Sequence, residues 1–68
     1  MNVKTILASN LKQFRANRHL SQEELAARAE LSTRGYGKIE RGEVYASLET
    51  LDKLVAGTGL SYAELLQG

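Results

Sequence analysis

The chain has 68 residues, with nine Lys/Arg against eight Asp/Glu, one histidine, no cysteine and no proline. A chain this short makes one domain that buries only about 60% of its unfolded surface, with no disulfide to staple it and no thiolate to hold a metal, and one histidine builds no zinc site by itself. No apolar run approaches the roughly 20 residues that cross a bilayer, and Ser9, Asn10, Lys12 and Gln13 interrupt the N-terminal segment where a signal peptide needs an unbroken apolar core, so a soluble, cytoplasmic protein is expected.

Val3, Ile6, Leu7, Leu11 and Phe14 repeat at helical spacing and predict a first amphipathic helix, broken at Asn17-Arg18-His19. Ser21 is a suitable N-cap, and Glu24 three residues on completes a capping box for a second helix from Gln22 to about Ala29. Ser32 caps a third, about Thr33 to Arg41, closed by Gly42. Ser47 caps a fourth, with Thr50 where a capping-box acid would stand; Leu48, Leu51, Leu54 and Val55 are expected to face inward, and Gly57/Gly59 to stop it. Ser61 with Glu64 forms a second full capping box and opens a last helix carrying Tyr62, Leu65 and Leu66. No segment alternates over a strand's length, so the expected class is all-α, a compact bundle of five short helices.

Two features of this pattern bear on function. Only Glu30-Leu31-Ser32 separate the second and third helices, and so short a turn forces a steep crossing, the helix-turn-helix arrangement, with Leu31 plugging the corner. The net charge of +1 also conceals a split. Residues 1–42 carry eight Lys/Arg against four Glu, a net +4, whereas residues 43–68 carry Lys53 against four acids, a net −3. A polyanion partner for the basic part is one interpretation; scatter in a small protein is the other.

The segments "LSQEELAARAELS" and "GKIERGEVYASLETLDKLVAGTGLSYAELL" carry a resemblance to the helix-turn-helix domain of the Xre/Cro/phage-repressor family, lambda-repressor-like in fold. It runs from about Leu7 to Leu66, nearly the whole chain, and is most specific at "SQEELA", "IERG" and "SLETL". It implies a single DNA-binding domain over residues 1–68 with the motif at about 22–41. It also implies a sequence-specific transcriptional regulator whose partners are double-stranded DNA, at a palindromic operator, and a second copy of itself. One recognition helix spans few base pairs, and a two-fold dimer reads half-sites about 34 Å apart.

The resemblance assigns the third helix to the major groove and brings Thr33, Arg34, Lys38 and Gly37 toward base edges, with a phosphate as the alternative contact for Lys38. Arg34 is the chief candidate, since arginine matches guanine O6 and N7 bidentately. Gln22 matches a phosphate-contacting glutamine, its own N–H lying at a helix N-terminus. Ser32, Arg28, Arg41 and Tyr45 are further phosphate candidates. For each cation the plain alternative is a solvated surface charge. Arg15 and Glu40 match an internal salt bridge, and Tyr36 stands where relatives bury an aliphatic side chain, so its hydroxyl needs a partner or solvent. Leu60, Tyr62, Leu65 and Leu66 exceed what one thin core needs and form the candidate dimer surface.

The sequence departs from the family at His19, Glu30 and Ala46, where relatives carry glycine, glycine and proline. His19 and Glu30 stand at turn positions that often take the left-handed conformation, at roughly 1 kcal/mol for a non-glycine residue. Gly35 and Gly37 flank Tyr36 inside the recognition helix, each about 1 kcal/mol worse than alanine there. Bare glycines that let the backbone approach DNA closely are one explanation; weaknesses tolerated in a helix held by packing are the other. The rival function on the same fold is a protein-interaction module or antitoxin-like partner with weakened DNA binding. Nothing resembles a catalytic set, a metal cluster or a phosphate loop, so neither enzymatic activity nor a cofactor is expected.

Overall fold

The computed structural model describes residues 2–68, which form α1 (Val3–Arg18), α2 (Gln22–Arg28), α3 (Thr33–Glu40), α4 (Leu48–Thr58) and α5 (Tyr62–Leu66). All five predicted helices are present, and the class is all-α. Each begins at a side chain that satisfies an orphan amide. Asn2 accepts from Lys4, and Ser21, Ser32, Ser47 and Ser61 each accept from the amide three residues on. Both predicted capping boxes are closed, Glu24 and Glu64 accepting from the amides of Ser21 and Ser61. In α4 Thr50 stands at the acid's position, but its hydroxyl accepts from Ser47 Oγ at 3.0 Å and not from the Ser47 amide.

Three helices end alike. The amide after a left-handed residue reaches back five residues: Leu20 to Arg15 O, Leu31 to Ala26 O and Glu43 to Lys38 O. The left-handed residues are His19 (φ 56°), Glu30 (φ 56°) and Gly42 (φ 73°). The turns are therefore not reshaped to suit His19 and Glu30; each takes the glycine conformation and bears its steric cost. Of the two glycines expected to stop α4, Gly59 does so, left-handed at φ 78° with its N–H on Val55 O. The helix runs through Gly57, where a methyl group would come within 2.9 Å of the Ala29 backbone, so this glycine permits the close approach of α4 to the end of α2.

α1 packs on α3 and α5, α2 on α3 and α4, and α4 touches α5. Leu7, Leu11, Phe14, Leu25, Ala26, Ala29, Tyr36, Ile39, Leu51, Leu54 and Leu65 form the core, with Leu31 packed partly against it at the corner. Two residues expected inside lie outside. Val3 and Leu48 begin α1 and α4, where the first turn overruns the core, and are 51% and 79% exposed. Asn10 on α1 donates to the carbonyls of Leu65 and Gln67 at 2.6 and 3.0 Å, pinning the end of α5. Among the described residues no helix is long and apolar enough to cross a membrane.

Candidate nucleic-acid interface

The interface is built on α3, whose two faces divide sharply. Tyr36, Ile39 and Glu40 point into the protein, and Thr33, Arg34 and Arg41 are exposed, with Lys38 half-buried. Arg34, Lys38 and Arg41 follow i, i+4, i+7, so three cations share one outward stripe. Ser32 fixes where the helix starts by accepting from Gly35 N at 3.0 Å, and its own proton remains available to a phosphate. A methyl on Gly35 would come within 3.0 Å of that Ser32 oxygen, so this glycine leaves room for the cap.

The inward face is locked by charge. Glu40 is 1% exposed. It accepts from Arg15 Nε at 2.8 Å and Nη2 at 2.6 Å, and from Gln22 Nε2 at 3.2 Å. Arg15 also donates from Nη1 to Leu20 O at 2.9 Å. One fork therefore ties α1 to α3 and to the turn before α2, and Gln22 adds α2 to the same carboxylate. Burial pushes the Glu40 carboxyl upward, but the hydrogen bonds from Arg15, with that from Gln22 and the Arg15 charge, outweigh it and hold the group below the ordinary carboxylate value. The Arg15–Glu40 pair expected from the sequence is thus present with both nitrogens engaged. Tyr36 is fully buried, as expected for a core residue, and its Oη lies against this pair without a hydrogen bond of good geometry. Desolvation, with Glu40 beside it, drives the phenol well above its ordinary value, so it stays neutral.

The remaining predicted contacts fall into three groups. Thr33, Arg34, Lys38 and Arg41 stand on the outward face with accessible side chains, and Arg28 is exposed in the last turn of α2. Tyr45 is 67% exposed in the loop before α4, with Lys4 Nζ 4.7 Å from its ring centroid. Gln22 is only half free, because its side-chain amide nitrogen is bonded to Glu40, while its backbone N–H lies in the first turn of α2.

Two assignments need correction. Gly37 is buried: a methyl there would lie 2.9 Å from Arg41 Nη1 and 3.6 Å from Gln22 Oε1, so those side chains cover the site instead of leaving bare backbone for a base. Leu65 cannot line a dimer surface, since it is wholly buried in the chain's own core as the one α5 side chain that seats there. Of the other three, Leu60 and Leu66 are partly buried and Tyr62 is 46% exposed. Sequence reasoning also missed the pairing of Arg41 Nε with Glu43 Oε2 at 2.6 Å; the two residues straddle Gly42, and no helical register relates them.

Comparison with known proteins adds to this geometry. A family model described as helix-turn-helix matches residues 11–65. The control protein C.MunI from Mycoplasma is 37% identical over 65 residues, 94% of this chain and 88% of that protein. The control protein C.SmaI from Serratia marcescens is 38% identical over 66 residues, 97% of this chain and 79% of that protein. A crystal structure of a hypothetical transcription factor from Neisseria superposes with a TM-score of 0.87 at 32% identity, covering 96% of this chain and 75% of that one.

Proposed function

Since the chain belongs to the Xre/phage-repressor helix-turn-helix family and is a DNA-binding transcriptional regulator, we propose that it acts as a homodimer, each protomer seating α3 in the major groove of one half of a palindromic operator. The observation that carries this is the division of α3. Its inner face is fixed through Glu40 to α1 and α2, while its outer face presents Arg34, Lys38 and Arg41. A helix held in place in this way presents its cations to phosphates and base edges from a fixed position. Arg34, with Thr33 beside it, reads bases; Lys38 lies one turn on; Arg28, Arg41, Ser32, Tyr45 and the α2 N-terminus at Gln22 serve phosphates. The exposed Tyr62, with Leu60 and Leu66 at its side, is the remaining apolar surface of α5 for the two-fold contact.

The names of two relatives, both control proteins, support a small controller role. The family is one of transcriptional regulators and not of enzymes. Glu30, exposed in the turn between α2 and α3, favours the alternative of a protein-interaction module, because it sets a negative charge beside the proposed DNA face. Selection of bound duplexes from a random pool separates the two. It should recover an inverted repeat with half-site centres about one helical turn apart, bound by two chains per duplex in sedimentation. Recovery of unrelated sequences, or of one chain per duplex, would contradict the dimeric reader.

A further inference from the structure

Gly37 stands at the edge of the outward face of α3, four residues before Arg41. A helical side chain leans back toward the residue four positions earlier, and here that residue has no Cβ to meet it. The guanidinium of Arg41 occupies the space instead. A methyl on Gly37 would lie 2.9 Å from Nη1, closer than side chains tolerate, and the atom that would yield is the free end of a flexible arginine. Glu43 takes the Nε proton at 2.6 Å. That leaves the two amino groups as the open edge of the fork. The carboxyl of Glu43 is held below its ordinary value by Arg41, so the pair stays charged near neutrality. Both partners are about half exposed, 51% and 50%, so the arginine faces solvent on the same stripe as Arg34 and Lys38.

We propose that Gly37 is a positioning residue: its missing side chain is the seat on which Arg41 lies, held there through Nε by Glu43, so that both amino groups of Arg41 meet one DNA phosphate. This rests on the DNA-binding role and deepens it, exchanging the idea of bare backbone against DNA for that of a cradle under an arginine. The seat explains why the recognition helix keeps a poor helix former at that position. A side chain at 37 would lift Arg41 away without removing its charge.

The test is the salt dependence of duplex binding in Gly37→Ala, Arg41→Ala and the double variant, each compared with the unaltered chain on the same selected duplex. One phosphate contact contributes a slope of about 0.9 in log K against log salt. Gly37→Ala and Arg41→Ala should each lower the slope by about that amount. Over a fourfold rise in salt each should then lose about 3.5-fold less affinity than the unaltered chain does. In the double variant, Gly37→Ala should add nothing to Arg41→Ala, because the residue it displaces is already gone. An unmoved slope in Gly37→Ala overturns the proposal. So does an equal further loss in the Arg41→Ala background, which would mean that the methyl meets the DNA itself. Failure of Gly37→Ala to fold overturns it too, since Arg41 would then not be what yields. Failure of the unaltered chain to bind any duplex would instead strike the DNA-binding role on which the seat depends.

Discussion

Arg15→Ala should destabilise the protein by about 3 to 5 kcal/mol, because it strands a buried carboxylate. Glu40 is 1% exposed, and two of its three hydrogen bonds come from Arg15. A domain of this size has few kcal/mol in reserve, so much of the variant should be unfolded at room temperature. The pH dependence should change sign with it. In the unaltered chain Glu40 titrates below its ordinary value, so its contribution is fully present above about pH 4.5 and is lost as pH falls through the folded-state value. Without Arg15, burial is the dominant influence left and raises the carboxyl above the ordinary value. Its contribution then favours folding in acid and is lost as pH rises through the raised value. Replacing both partners by methionine should recover most of the loss, since no unpaired charge stays buried. Urea unfolding of the three proteins at pH 7 and pH 4 measures all of this. A loss under about 1 kcal/mol in Arg15→Ala, with the pH slope unchanged, would mean that the fork does not hold α3.

Arg34→Ala should relax preference at one base pair of each half-site, worth about 1 to 3 kcal/mol of discrimination, while binding to the other positions keeps its order. Gln22→Ala should instead weaken all duplexes alike. Its proposed contact is with phosphate, and the lost side chain also frees one acceptor site on Glu40. The contrast arises in the structure: Arg34 is exposed on the outward stripe with its full fork available, whereas the Gln22 amide nitrogen is committed to Glu40. Affinities of each variant for the operator and its single-base substitutions give the comparison. Equal, uniform losses from both would remove the distinction between a reader and an anchor.

What the sequence made legible is what local chemistry decides. Ser21, Ser32, Ser47 and Ser61 begin helices because a hydroxyl satisfies the amide three residues on, and that spacing can be read directly. The Arg15–Glu40 pair was accessible only through the family resemblance, since the partners lie 25 residues apart. Errors arose where tertiary packing decides. Leu48 and Leu65 are equally apolar, yet one overhangs the start of α4 at 79% exposure while the other is sealed between helices at 0%. Periodicity gives a face but not how far the neighbouring element reaches along it. Gly37 faces outward by helical angle and is nonetheless covered, because Gln22 from α2 and Arg41 from the cap of α3 converge over it. Nor could the conformation of Glu30 be settled in advance. The left-handed turn is kept at a steric cost because Leu31 must reach back to Ala26 O to close α2.

The proposed DNA-reading role of α3 is tested most directly by the salt dependence of binding of the unaltered chain to its selected duplex. Log K should fall linearly with log salt, at about 0.9 per phosphate neutralised, with a slope of several ions. Binding to no duplex, or a slope near zero, would contradict it.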